Sequence, residues 1–509
     1  MTYLYDLFRD QAQHFAQKTA LISGDARYSY ETLLRQADRW ATYLFAGQQK
    51  RPRIALLTED PFHSISLSLA IARLDGACVP TNPQLLPEQL LACWQATDVD
   101  RVIYEPAFER KIRACDRGDM EFLTTDEITG YEEEGDLDTV FPWSDQKDFL
   151  ITLSSGSTGA PKPIMLSQEV KVARARQTWD LYQLTSDDVV LCASPYFHSL
   201  GQRLVYVPLL MGATLVHLSR FTPKKWLDLV EENRVSFVIG VSSHLYTLKD
   251  YLLDGSGRID SLKIIVTSSA PIDVDFKGRL FRTVGCRFHE IYGATEVAIA
   301  TDLAPEYAGE KYATVGFPCK GVGVRILDDA GNELSYNAIG EIAVKTPLSF
   351  EGYYGRSDLT RAAMKDGYFL TGDLGSLDED GFLSYVSRKK DIIISGGINI
   401  YPGDIEKVLL GQPAIKEVAV IGVDDRLLGE VVVAVCVADR EENVDNMERE
   451  LRGVADRHLA PFQRPLKYFF VDNLPLTHSG KLSKQSLREK YNAMNEDWTL
   501  ALRMMLRGE

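Results

Sequence analysis

The run Ser154-Ser155-Gly156-Ser157-Thr158-Gly159, closed by Lys162, holds the residue types of a phosphate cradle. Glycines let successive backbone N–H groups turn toward one anion, and small hydroxyls add donors without bulk. The lysine adds a compact positive charge. Only Ala160 and Pro161 separate Gly159 from Lys162, so the spacing is not that of a Walker loop. By itself the run reads equally as a surface turn. Chemistry-bearing types recur at Tyr292-Gly293-Ala294-Thr295-Glu296, at Thr371-Gly372-Asp373, at Arg388-Lys389-Lys390-Asp391 with Ser395-Gly396-Gly397, and at Ser479-Gly480-Lys481. Alone, Asp373 would be a turn residue and Lys481 a solvated lysine.

The elements that must position these residues alternate. Strand-like apolar runs at 52–57, 76–80 and 101–105 precede the first loop, with a helical pattern at 61–74. Beyond it, strand-like runs at 189–194, 213–218, 236–241, 263–267 and 287–292 are separated by helical patterns at 223–233, 244–253 and 272–284. Such alternation, with continuous apolar strands, predicts an α/β fold of mostly parallel, helix-covered sheets. After Gly316 the strands shorten and Asp/Gly/Asn turns separate them, which predicts a β-rich subdomain over about 316–388. After Asp391, strands at 417–423, 430–438 and 467–471 and helices at 447–458 and 484–492 predict a small, mobile α+β C-terminal domain. The expected division is 1–388 for the large domain, 389–391 for a hinge and 392–509 for the small one.

The chain has 509 residues, 45% of them apolar and 25% charged, with a net charge of −16. This balance excludes a general affinity for nucleic acid or anionic membrane. No apolar run approaches a transmembrane segment. Seven cysteines are scattered without a Cys-x-x-Cys pair, as expected of reduced thiols in a cytoplasmic protein.

Taken together, in this order and spacing, the five stretches resemble the adenylate-forming (AMP-binding) superfamily, in particular its acyl-CoA synthetase and aryl-CoA ligase branch. The resemblance runs from Ala20-Leu21-Ile22 to Lys481. It implies ATP-dependent activation of a carboxylic acid to an acyl-adenylate, followed by thioester formation with coenzyme A. By this resemblance, residues 154–162 embrace the β- and γ-phosphates, Thr295 meets the α-phosphate and Glu296 holds Mg2+. Tyr292 offers a face to adenine, Gly293 and Ala294 belong to the ATP/AMP site, and Asp373 and Arg388 bind the ribose. Lys481 stabilises charge during adenylation, Lys390 is the hinge, and Gly396 and Gly397 serve the thioester step. Retention of Lys162, Glu296, Asp373, Arg388 and Lys481 argues against a non-catalytic relative.

The acid is read from what stands where amino-acid-activating relatives carry Phe-Asp. Here Phe197 is followed by His198, and a neutral imidazole cannot pair an α-ammonium as a carboxylate does. A fatty or aryl acid is expected, in a pocket walled by His198, His244, Ser268, Ser269 and Ala270. The acceptor is coenzyme A or, alternatively, the phosphopantetheine of a separate acyl carrier protein. Oligomeric state is not legible. Departures from the family pattern are Pro163, Gln168, Leu476 and Glu290.

Overall fold

In the computed structural model, the described residues are 3–46, 50–115, 118–129, 148–154, 162–253, 257–270, 272–425, 427–438, 444–476 and 482–494. They fall into two compact units. The first comprises 1–324, 344–369 and 380–383; the second comprises 325–343, 370–379 and 384–509.

The first unit is built on two sheets. In the nine-stranded sheet the order is Phe317–Pro318, Ala298–Leu303, Arg287–Ala294, Ile264–Ser268, Phe237–Val241, Val189–Cys192, Thr214–His217, Thr19–Ser23 and Ala26–Ser29. The pairs from Thr19–Ser23 through to Arg287–Ala294 are parallel, and antiparallel strands close both edges. The seven-stranded sheet runs Gly352–Tyr353, Lys162–Leu166, Leu150–Ser154, Ala77–Pro80, Arg53–Leu57, Arg101–Tyr104 and Glu121–Thr124. Its central strands are parallel, and its antiparallel end starts where Ser154 opposes Lys162. Central strands such as Phe237–Val241 are apolar almost throughout because helices cover both faces. This is the α/β architecture expected from the alternation.

Local chemistry starts the helices. Ser29, Asp60, Ser167, Thr222 and Asp273 each accept a hydrogen bond from a first-turn N–H of the helix that follows. One expected helix differs. The pattern at 244–253 is split into Ser242–Thr247 and Lys249–Leu253, with Leu248 fully buried between them. Packing of that leucine into the core breaks a periodicity that sequence alone reads as continuous.

Strands Gly340–Lys345, Tyr368–Leu377 and Leu383–Arg388 supply much of a five-stranded sheet to the second unit. Its other sheet centres on the antiparallel pair Ile415–Asp425 and Gly429–Ala438. Alternate side chains enter opposite cores. Val418, Val420, Val432, Ala434 and Cys436 pack with Leu451 and Ala455 of helix Val444–His458. Ala419, Ile421, Val431, Val433 and Val435 pack with Leu487 and Tyr491 of helix Lys484–Asn492. A strand buried on both faces has no polar side, which accounts for the unbroken apolar run in this stretch. Among the described residues no helix is long and apolar enough to cross a membrane. All seven cysteines are free thiols.

Candidate functional site

Strand Arg287–Ala294 delivers Tyr292, Gly293 and Ala294 to the start of a turn. Its pairing with Ala298–Leu303 shifts register between Tyr292 and Gly293. A Cβ on Gly293 would lie 1.9 Å from the Ala298 carbonyl oxygen, so only glycine permits that close return. Tyr292 is buried, whereas Thr295 and Glu296 are partly exposed. The turn is held from behind by Arg174. Its guanidinium donates to the carbonyls of Thr295 at 2.8 Å, Glu296 at 3.0 Å and Leu348 at 2.7 Å. Burial and the neighbouring Arg203 lower the Arg174 pKa to about 9.

The Glu296 carboxylate accepts a hydrogen bond from the Tyr353 hydroxyl at 2.9 Å and has no ion-pair partner among the described residues. The ring of the same tyrosine lies 5.4 Å from the Lys162 ammonium. The shared ring follows from topology, because Tyr353 pairs with Ile164 on the strand that Lys162 begins. Tyr353 and Arg174 were not among the residues singled out in the sequence. The signal for Arg174 is a charged residue on the inward stripe of helix Gln168–Tyr182; Tyr353 has no distinguishing local pattern.

The chemistry of this donor set fits Mg2+. That ion takes one or two carboxylates and completes its octahedron with water and substrate phosphates. A partly exposed carboxylate bound only to a hydroxyl meets that requirement, and no group of three or more metal-ligating side chains is preformed among the described residues.

In the second unit, Thr371 Oγ1 donates to the Ile342 carbonyl and accepts from the Asp373 N–H at 3.1 Å, which sets the turn. Asp373 is 4% exposed, with Oδ1 3.0 Å from Arg388 Nε. Two of the expected ribose ligands thus meet one another. Lys390 lies in a short 3-10 turn, Lys389–Asp391. Lys389 is ion-paired to Asp329 and Glu341, each at 2.9 Å, whereas the carbonyls of Lys390 and Asp391 accept from Arg488. Gly396 and Gly397 form the tip of the hairpin between Ile393–Ser395 and Ile398–Ile400, with φ of 57° and 81°. A two-residue turn with both φ values positive matches the twist of its strands and favours glycine. Among the described residues, chain neighbours aside, no atom lies within 4 Å of a Cβ built on Gly397.

The residues expected to wall the acyl pocket all lie in the first unit. His198 precedes helix Ser199–Leu209, with its ring 4.3 Å from that of Phe197. His244 stacks on Phe221 at 3.7 Å and 5°, and burial lowers its pKa to about 4, so the ring is neutral at pH 7. Ser268 Oγ and Ser269 Oγ lie 3.3 Å apart, and Ser269 has a φ of 81°. The loop is tied back by Ser242, whose hydroxyl donates to the Ala270 carbonyl at 2.5 Å.

The departures in the sequence have structural partners. Gln168 accepts from the Leu4 N–H and donates to the Ala72 carbonyl, both at 3.0 Å, fastening the first helix to the core. Pro163 keeps its carbonyl in use, as acceptor for the Tyr354 N–H at 2.8 Å. Glu290 pairs with Lys277. Leu476 is exposed. Ser154 ends its strand, whereas Ser155, Gly156, Ser157, Thr158, Gly159 and Lys481 lie outside the described residues.

With that geometry in hand, two family models match. Residues 8–354 match the AMP-binding enzyme family, and residues 404–481 match the AMP-binding enzyme C-terminal domain. The chain belongs to the AMP-binding enzyme family. It is 31% identical over 485 residues to a feruloyl-CoA synthase of an Amycolatopsis species, covering 93% of this chain and 96% of the relative. It is 28% identical over 498 residues to a fatty acid–[acyl-carrier-protein] ligase, ScoC, of Streptomyces coeruleorubidus, covering 94% and 95%. Among solved structures, ATP-bound MatB from Rhodopseudomonas palustris superposes with a TM-score of 0.87 at 30% identity, covering 97% of this chain and 100% of that one.

Proposed function

We propose that the residues brought together here activate a fatty or aryl acid and pass it to coenzyme A. The chain is an AMP-forming acid–thiol ligase that uses ATP, Mg2+ and coenzyme A. The observation that carries the assignment of residues is the sharing of one tyrosine. Lys162, a cation for phosphate oxygens, and Glu296, a carboxylate for the metal, both rest on Tyr353. A carboxylate oxygen of the acid attacks the α-phosphorus of ATP, and the bond to pyrophosphate breaks. The thiol then attacks the acyl carbon, and AMP leaves.

The nucleophile and ATP are both anionic, so the protein must supply positive charge and fixed donors. In this reading Lys162 and the loop 154–159 hold the leaving phosphates. Thr295 orients the α-phosphate, and Glu296 would hold Mg2+, which would supply positive charge to the leaving pyrophosphate. Tyr292, Gly293 and Ala294 bound the adenine, and Asp373 and Arg388 bind the ribose. Lys481 adds charge in the first step.

Alternation between steps at 389–391 is supported by the division of partners there. Lys389 is tied to Asp329 and Glu341, and the next two carbonyls to Arg488 of the last described helix. We assign the pivot to the bonds between Lys389 and Lys390, the large domain to 1–388 and the small one to 392–509. Gly396 and Gly397 serve the thiol step. The neutral His244 and the serines at 268–269, with His198 assigned to the same wall, suit an apolar acid. ScoC favours a second reading, in which the acceptor is a carrier-protein phosphopantetheine. We place the enzyme in the cytoplasm, on the strength of its seven free thiols.

The test is pyrophosphate release across fatty, aryl and α-amino acids, followed by thioester formation with coenzyme A or a loaded carrier. A fatty or aryl acid should drive release. Turnover with α-amino acids alone would overturn the reading.

A further inference from the structure

One cavity in the first unit gathers three cationic side chains, of which only Arg174 is drawn to a carboxylate among the described residues, that of Glu296. It has a volume of about 10 Å3, room for one water-sized occupant. Lys171, Arg174 and Ala175 of helix Gln168–Tyr182 line one side, and Ser199, Arg203 and Tyr206 of helix Ser199–Leu209 line the other. Lys171 and Arg174 are each 4% exposed. Arg174 is committed to the three backbone carbonyls already described. Lys171 meets the ring of Tyr206, 5.2 Å from its centroid. Among the described residues neither Lys171 nor Arg203 has a hydrogen-bond or carboxylate partner.

Three like charges in a desolvated space repel, and burial with Arg174 and Arg203 holds the Lys171 ammonium well below its usual range. Either the lysine surrenders its proton or a negative group enters. The second outcome has independent support from the fold, since helix Ser199–Leu209 begins at the cavity and its N-terminal dipole end favours an anion. We propose that this cavity is a binding site for one small, singly charged anionic group, held by Lys171 and Arg203. Two sources share that chemistry. One is a halide ion from solution. The other is the far carboxylate of a dicarboxylic substrate, because the wall at Ser199 begins one residue beyond His198. That second source rests on the proposed adenylation but replaces its apolar acid with one carrying a second charge; the first rests on neither.

The experiment uses the full chain in two arms. Thermal unfolding is followed in sodium gluconate, chloride and bromide at one ionic strength, and bromide-soaked crystals are examined for anomalous signal. Pyrophosphate release is measured in gluconate for matched acids with and without a far carboxylate. A halide site gives a saturable rise in Tm and an anomalous peak between Lys171 and Arg203. A substrate-tail site gives a KM about tenfold lower for the diacid, equivalent to one charge-assisted contact, with chloride as competitor. Lys171→Met and Arg203→Leu should each abolish whichever response is found. The proposal is overturned if the wild-type chain shows neither response, or if Lys171→Met retains the response at full strength. Failure of the acid-ligase reading looks different: no acid releases pyrophosphate, and the halide arm is unaffected.

Discussion

Strand Arg287–Ala294 and the turn after it carry two glutamates with opposite surroundings. Glu290 is 3% exposed and ion-paired to Lys277, which also donates to the Thr314 carbonyl at 2.9 Å. Glu296 is partly exposed, and among the described residues its carboxylate accepts only from the Tyr353 hydroxyl. The first has its charge matched inside the protein, so it acts on stability. The second has no ion-pair partner among the described residues and feels only the attraction of buried Arg174, so its charge is available to a ligand. A carboxylate's type and strand therefore say less about its role than whether the fold has already neutralised it.

The comparison is broken most severely at Lys277. Lys277→Met leaves Glu290 buried without its cation and should cost about 3–5 kcal/mol of stability, read by chemical unfolding. The loss should deepen with pH. Burial already raises the Glu290 pKa and Lys277 opposes that shift. A carboxyl whose folded pKa lies above its unfolded value contributes stability that is present below the unfolded value and lost as pH rises through the folded one. The variant should therefore be relatively more stable at pH 5 than at pH 8. An equal loss at both values would mean that Glu290 is not the group left unpaired.

Glu296→Gln should do the reverse. Unfolding should be unchanged within about 0.5 kcal/mol, as for a partly exposed polar swap. Acid-dependent pyrophosphate release should fall by about two to three orders of magnitude, with partial recovery at high Mg2+. A stable variant with normal turnover would remove Glu296 from the site.

Tyr353→Phe sharpens the contrast further. The carboxylate stays, but its orientation is freed, and KM for Mg-ATP should rise about tenfold, the weight of one hydrogen bond to a charged group. A fall in kcat at unchanged KM would assign Tyr353 to the transition state instead. The smallest effect is expected from Lys277→Met combined with Glu290→Leu, which removes both charges. Its stability should lie within about 1.5 kcal/mol of the parent, because the desolvation cost disappears along with the attraction. If the double variant is as unstable as Lys277→Met alone, packing rather than charge holds that corner.

Sequence determined many of this chain's elements, because their signals are local. Apolar runs of strand length and helical spacing located the central parallel strands and several helices. They did not locate strands such as Lys162–Leu166 and Ala298–Leu303 or helices Gln168–Tyr182 and Ser199–Leu209. The order of the five stretches placed the chain in its family. The strand Gly429–Ala438 was legible as a continuous apolar run, since burial on both faces leaves no polar side. Pairing was decided only by the tertiary structure. The stretch Tyr292–Glu296 marked Glu296 by resemblance, but no local pattern shows that Glu290 is neutralised, because Lys277 reaches it from another element. Arg174 and Lys171 follow the spacing of a buried stripe but have the types of a solvated face, and Gln168 gains its meaning from Leu4 and Ala72. The physical reason is range. Backbone propensity and burial periodicity act over one turn or one pleat, whereas a buried charge is satisfied by whatever sheet order and helix packing bring within a few ångströms of it.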